Sequence, residues 1–156
     1  MGIEQVRDYL KQFNRDNDII EMNISTATVP EAAKALDVIP ARIAKSISLK
    51  KGETAIVVVT SGDMKLDNSK FKNHFGFKAR MLSAQEALRF TGHAIGGVCP
   101  FGLPSQIEVF LDVSMRRFQT VFPACGSGNS AIELTLDDLN KYSRSTEWVD
   151  VCKIIK

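Results

Sequence analysis

Lys45 is the side chain whose setting most suggests chemistry. It lies in Ile43-Ala-Lys-Ser-Ile-Ser-Leu49, where alternation sets Ile43, Lys45, Ile47 and Leu49 on one side of an extended strand and Ala44, Ser46 and Ser48 on the other. An ammonium in phase with three aliphatic residues must be paired, reach an edge along its own methylenes, or line a cavity, because an isolated buried charge is too costly. Lining a cavity, it would meet an anionic ligand or a developing negative charge. A second candidate is Gly96-Gly-Val-Cys-Pro-Phe-Gly102. Adjacent glycines let backbone approach a ligand and turn N–H groups toward an oxyanion, although the same residues also make an ordinary turn. Cys99 and His93 could pair as thiolate and base, but a nucleophilic thiol needs a lowered pKa and a positioned partner, and the sequence displays neither. His93 reads more simply as a structural imidazole and Cys125 as a small core or cavity-lining residue.

Several chemistries are disfavoured by pattern. Gly126-Ser-Gly-Asn-Ser-Ala131 fits G-x-G-x-x-A, yet it precedes a strand-like run and leaves no room for a following βαβ unit, so neither dinucleotide binding nor any other cofactor is expected. The three cysteines, Cys99, Cys125 and Cys152, are widely spaced and odd in number, and His74 and His93 are far apart. That pattern predicts reduced thiols in a cytoplasmic protein and no zinc site. Phe90 to Ile107 lacks charge but is broken by glycines and prolines, so it reads as a loop and not a membrane span.

The net charge of +2 conceals an asymmetry. Residues 42–80 hold nine basic and three acidic groups, whereas the flanking segments are slightly acidic. A local basic segment can contact polyanions. Within it Phe71, Phe75 and Phe77 interleave with Lys70, Lys72, Lys78 and Arg80, an arrangement suited to base stacking and phosphate contact. Core phenylalanines beside a solvated basic face explain it equally well.

The elements that must position these residues form one mixed α/β domain over residues 1–156, without repeats or linkers. Ile3, Val6, Leu10 and Phe13 predict an opening amphipathic helix. Thr28-Val-Pro-Glu31 predicts a capping box and a short helix through Ala35. Strands follow over Ile43–Leu49 and Thr54–Thr60, the second β-branched throughout its middle and therefore central. Further helices are expected over Asp67–Phe75, after Ser83-x-x-Glu86 and after Thr135. Strands are expected at Phe77–Leu82, Ile107–Leu111, Thr120–Phe122, Ala131–Leu134 and Trp148–Cys152. Irregular spacing argues for a mixed, partly closed sheet or barrel with helices packed outside.

In order along the chain, Thr28-Val-Pro-Glu-Ala-Ala-Lys-Ala-Leu36, Ile43-Ala-Lys-Ser-Ile47, Gly96-Gly-Val-Cys-Pro-Phe-Gly102, Ala124-Cys-Gly126, Ile132-Glu-Leu134 and Asp138-Leu139 resemble the YbaK/prolyl-tRNA synthetase associated domain family. The resemblance spans about Thr26 to Cys152. It implies a freestanding relative of the editing insertion in bacterial prolyl-tRNA synthetases, one that hydrolyses mischarged aminoacyl-tRNA. Lys45 falls on the family's lysine, thought to engage the tRNA acceptor end, and Gly96 and Gly97 fall on the loop that floors the aminoacyl pocket. Thr26, Ser46, Val98, Pro100, Gly102, Cys125 and Gly126 are then expected to bind substrate, with Lys70 and Lys72 contacting tRNA. Cys99 stands where a serine is frequent, and Gly126 to Ser130 lacks the charged residues of the cysteinyl-tRNA deacylase subgroup.

An aminoacyl ester is already activated, so holding the terminal adenosine, admitting one water and directing N–H groups at the oxyanion would supply most of the acceleration without a triad or metal. The implied substrates are Ala-, Cys-, Ser- or Thr-type esters, with tRNA(Pro) as the family's usual carrier. The implied partners are mischarged tRNA and an aminoacyl-tRNA synthetase, not DNA or membrane. The alternative is a noncatalytic tRNA-binding or synthetase-associated module of the same fold.

Overall fold

The computed structural model describes residues 2–156, and its centre is a long antiparallel hairpin. β-Branched side chains prefer a pleated, covered surface, and residues 55–61 are all buried. In chain order the elements are α1 (Ile3–Lys11), β1 (Ile20–Glu21), α2 (Val29–Leu36), β2 (Ile43–Lys51), β3 (Thr54–Ser61), β4 (Met64–Leu66), α3 (Asn68–Phe75), α4 (Ala84–Thr91), β5 (Glu108–Asp112), β6 (Thr120–Pro123), β7 (Ser130–Ala131), β8 (Leu134–Thr135), α5 (Leu136–Ser143), β9 (Glu147–Val149) and β10 (Cys152–Ile154). A six-stranded mixed sheet runs β8-β6-β2-β3-β5-β9, and β1-β7 and β4-β10 form two small antiparallel ribbons. The fold is thus the mixed α/β sheet with outside helices expected from the sequence.

Helices cover both faces. Val6 and Leu10 of α1, Ala87 of α4 and Leu139 of α5 pack with Val57, Val59 and Leu111. On the opposite face Phe71 of α3 packs with Leu49, Ile56, Val58 and Phe110, while Ala32 and Ala33 of α2 meet Ile43 and Phe122. Phe71 and Phe75 contact each other, and Phe75 stands edge-on to Phe110. These rings are core, so the stacking-platform reading of the interleaved phenylalanines does not hold.

Local signals set most helix ends. Thr28 accepts from Glu31 N–H, Ser83 and Glu86 form a complete capping box, and Thr135 accepts from Asp138 N–H. At Thr28 the reciprocal half differs from expectation: the Glu31 carboxylate accepts from the Thr28 and Ser25 hydroxyls at 3.0 and 3.2 Å. Three expected strands are corrected. Residues 77–82 touch β2 through Lys50 N–H to Arg80 O and Leu82 N–H to Ser48 O, too few bonds for a strand. Ala131–Leu134 is divided between β7 and β8, which pair with different partners. Trp148–Cys152 is likewise divided, because the Val151 N–H turns to the Asp112 carboxylate.

Candidate functional site

The site arises where the sheet parts. β6 pairs with β2 only at Ile43 and Ala44, and the next partner along that edge is Leu82, bonded to Ser48 O. Between them the β2 edge meets no strand, and Ser46 sits in the middle of the gap. The opening is a cavity of ≈ 190 Å³. Its walls come from Thr26, Ala27 and Val29 before and within α2, from Ile43 to Ser46 and Ser48 of β2, and from Met81, Leu82, Ile95, Gly96, Val98, Ala124 and Ser130. Among the described residues no carboxylate lines it.

Two of its polar atoms have no partner. Thr26 Oγ1 and Ser46 Oγ are buried and form no hydrogen bond among the described residues. A buried hydroxyl without a partner carries a desolvation penalty, so two on one cavity wall mark a surface awaiting a polar ligand. Ser130, also on the wall, is satisfied by Ser127, whose Oγ lies 2.7 Å away. At the mouth Met81 and Ile95 are 61% and 62% exposed, which is unusual for side chains of that size and leaves an apolar rim.

Lys45 is half-buried at the edge of this cavity. It pairs in register with Thr60, on the face carrying Ile47 and Leu49, as its alternation predicts. Ser46 and Ser48 pair with Val59 and Val57 and face the other way. Burial lowers the ammonium's pKa, with Cys152 and Asp63 opposing that shift. The Cys152 thiol is itself pushed up to about 12, chiefly by burial, so at neutral pH Asp63 is the anion of the two. Among the described residues Lys45 forms no ion pair.

The glycine loop is divided. Gly96, at φ +93°, lines the cavity with Val98, and a Cβ on it would lie 3.1 Å from Ala27 Cβ. Gly97 stands behind: its N–H is bonded to Ala94 O, and a Cβ there would fall 2.7 Å from Ser127 N. Gly126, at φ +92°, stands further back, where a Cβ would be 2.6 Å from the Gly2 backbone. Cys125 is fully buried in the core. Pro100 and Gly102 line a different cleft, with Tyr9 and Arg144. Of the residues expected at the pocket, Thr26, Lys45, Ser46, Gly96 and Val98 are therefore brought together, while Gly97 and Gly126 support the loops and Pro100, Gly102 and Cys125 lie elsewhere.

Cys99 Sγ is 3.6 Å from His93 Nε2, but both residues are fully buried and off the cavity. Burial raises the thiol to about 12 and lowers the imidazole, so the pair is neutral and carries no thiolate. His93 is only half satisfied: Nε2 meets Phe101 O at 3.1 Å, while Nδ1 is buried without a partner among the described residues. The two α3 lysines are also apart from the cavity. Lys70 Nζ is paired with Asp150 at 3.1 Å, and Lys72 lines a shallow depression with Asn68, Ser69 and Lys78. Sequence reasoning missed Ala27, Val29, Ile43, Ala44, Ser48, Met81, Leu82, Ile95, Ala124 and Ser130 as cavity-lining residues. A usable signal existed: small polar residues on one face of β2, opposite an aliphatic face, leave room for a ligand.

This sheet, opened at one edge over a small, mostly apolar cavity, defines a class. The chain belongs to the aminoacyl-tRNA editing domain family, which matches residues 24–142. It is 56% identical over 98% of both chains to the uncharacterised protein YwhH of Bacillus subtilis (strain 168). It is 32% identical over 93 residues to the proline–tRNA ligase of Bacillus licheniformis, covering 59% of this chain and 16% of the ligase. Among solved structures, a candidate trans-editing enzyme for prolyl-tRNA synthetase superposes with a TM-score of 0.87 at 26% identity, covering 97% of this chain and 96% of that one. The chain is thus an aminoacyl-tRNA editing domain related to that of prolyl-tRNA synthetases.

Proposed function

We propose that the protein is a trans-acting aminoacyl-tRNA deacylase, hydrolysing the ester between a wrong amino acid and its tRNA in the cytoplasm, where charged tRNA is used. The observation that carries this reading is the pair of unpartnered hydroxyls, Thr26 Oγ1 and Ser46 Oγ, on the wall of a small cavity in an editing-domain fold. The volume, below the few hundred Å³ of ordinary ligand pockets, suits a small aminoacyl group and leaves the nucleoside outside. The terminal adenosine then lies against Met81 and Ile95, and Lys45 meets a phosphate or the charge that develops at the ester.

The reaction needs little from side chains. Water adds to the ester carbonyl, the carbonyl oxygen becomes an oxyanion, and the tRNA hydroxyl leaves with a proton as the free amino acid is released. Gly97 N–H is engaged by Ala94, so Gly96 and Val98 are the loop residues whose N–H groups can stabilise the oxyanion. Thr26 and Ser46 hold the amino acid, and packed apolar walls limit the water admitted. A synthetase, prolyl-tRNA synthetase first, is the partner that would hand over the mischarged tRNA.

A deacylation panel tests the reading: alanyl-, cysteinyl-, seryl- and threonyl-tRNA(Pro), with hydrolysis in buffer subtracted. Hydrolysis of at least one ester above buffer is expected, and prolyl-tRNA(Pro) should be spared. Binding of every ester without turnover would instead identify a noncatalytic tRNA-binding module.

A further inference from the structure

We propose that the aminoacyl group pairs with the open edge of β2 as a strand one residue long: its α-amino group donates to Ser46 O, and its ester carbonyl accepts from Ser46 N–H. This rests on the reading of the cavity as an aminoacyl pocket and names what that pocket recognises.

Strand register leaves these groups free. In an antiparallel ladder alternate residues turn both backbone groups toward the same neighbour. Lys50 N–H donates to Arg80 O at 2.8 Å and Ser48 O accepts from Leu82 N–H at 3.2 Å, both on the side of β2 away from β3. Lys45, Ile47 and Leu49 therefore bond with β3, whereas Ala44, Ser46, Ser48 and Lys50 face outward. β6 takes up this outer edge only as far as Ala44, and the bridge of Leu49 to Met81 takes it up again from Ser48 O. Ser46 N–H, Ser46 O and Ser48 N–H are left without a protein partner among the described residues. Covered backbone groups are nearly always paired, so three in succession mark a ladder that a ligand completes.

Length and chemistry set the occupant. Ala124, just beyond β6, and Met81 and Leu82, on the other flank of the gap, line the same cavity as Ser46 and Ser48, so the unfilled edge opens directly into it. From Ala44 to Ser48 is roughly 13 Å of strand, closed at both ends, with Ser46 the one outward-facing residue between them. A peptide adding to a sheet needs several ladder positions in a row, but an amino acid needs one. With no carboxylate on the wall among the described residues, an α-amino group entering the cavity must be met by neutral acceptors, and Ser46 O is one that no protein donor uses. A residue opposite Ser46 exchanges two bonds with it, which fixes the amino and carbonyl ends together and holds the ester in one orientation. The edge then reads what all α-amino acids share, while the cavity wall limits the side chain.

Two measurements test this. The first compares the best-cleaved ester of the panel with its des-amino counterpart on the same tRNA, propionyl for alanyl or 3-hydroxypropionyl for seryl, each divided by its own hydrolysis in buffer. Loss of the α-amino group should lower the normalised kcat/KM about 10- to 100-fold, the size expected when a hydrogen bond to a charged group is lost. Ser46→Pro adds the protein side: it removes an N–H that β3 does not use, and should lose roughly three- to tenfold beyond Ser46→Ala. The second measurement needs no turnover. It follows amide hydrogen exchange with 3′-alanylamino- and 3′-serylamino-3′-deoxyadenosine, uncleavable mimics of the charged tRNA end. In the free protein the Ser46 amide should exchange faster than those of Lys45 and Ile47, and a mimic at about ten times its Kd should slow it roughly tenfold. The propionylamino mimic at the same concentration should not.

Equal normalised cleavage of the amino and des-amino esters, or a Ser46 amide that neither aminoacyl mimic protects, would overturn the pairing. An inactive panel with Ser46 protected would sink the deacylase reading and keep the pairing, as in a noncatalytic module. If Ser46→Pro does not fold, the ester and exchange comparisons decide without it.

Discussion

Lys45 and Lys70 belong to the same basic stretch of sequence, yet the fold treats them oppositely. Lys45 stands half-buried at an opening in the sheet and, among the described residues, has no ion-pair partner. Lys70 stands on a solvated helix with its charge paired to Asp150 and its Nζ also 3.3 Å from Cys152 O. Charge counted along a segment therefore does not by itself map a binding surface. What matters is which cations have been left without a protein partner, and where a cavity adjoins them.

Replacing each lysine by alanine is the sharpest way to break that contrast. Lys45→Ala should lose about 10- to 100-fold in kcat/KM, the range expected when a charged hydrogen bond to substrate is removed. Its thermal stability should hold or rise, because an ammonium whose pKa is lowered by burial favours the unfolded chain. Lys70→Ala should change turnover less than about twofold, since Lys70 lies apart from the cavity with its charge matched by Asp150. Equal losses in deacylation assays of the two variants would erase the distinction.

The cavity wall gives the next effect. Thr26→Val and Ser46→Ala should each lower kcat/KM roughly three- to tenfold, in line with about 1 kcal/mol for a neutral hydrogen bond. Neither should destabilise the fold, and Thr26→Val should raise the melting temperature, because each removes a hydroxyl that has no partner in the free protein. A fall in melting temperature with unchanged activity would mean that the hydroxyls serve the fold and not the ligand.

The contrast can be sharpened by salt dependence. If Lys72 contacts phosphate, Lys72→Ala should reduce the log–log salt slope of tRNA binding by roughly 0.7 to 0.9, the range for one lost contact on single-stranded or duplex nucleic acid. Lys70→Ala should leave the slope as it is, since its charge is already matched by Asp150. A slope that neither variant alters would place the tRNA entirely on the cavity side.

The sequence was most legible where structure is local. The hydroxyl caps at Thr28, Ser83 and Thr135, the buried run of β3 and the phase of Lys45 depend on neighbours within a few residues, so pattern suffices. The cavity depends on where β6 leaves β2, and nothing in Thr120–Pro123 announces that pairing will stop after two residues. Residues 77–82 alternate like a strand, yet the β2 edge offers them too few bonds. The glycine loop showed the same limit: two adjacent glycines look equivalent in sequence, but the approach of Ser127 turns one into support while Gly96 faces the cavity. Lys70 and Asp150 are 80 residues apart, a pairing no local pattern could announce.

The smallest expected effect concerns the one pair that resembles a catalytic dyad. Cys99 and His93 are close enough to exchange a proton, but burial stabilises the neutral form of each, and neither lines the cavity. Cys99→Ser should therefore keep turnover within about twofold, a serine hydroxyl being able to replace the weak thiol contact to Phe101 O. Iodoacetamide should leave the thiol unmodified in the folded protein. His93 matters instead to acid stability. Its pKa is lowered in the fold, so as pH drops below about 6.5 the unfolded chain takes up a proton that the folded chain refuses, and stability falls with it. Urea unfolding of the wild type at pH 7 and pH 5 should show that loss, and His93→Gln should show less of it. Trapping of an acyl-thioester on Cys99, or abolition of hydrolysis by Cys99→Ser, would overturn this assignment and move the chemistry from the edge of β2 to the back of the glycine loop.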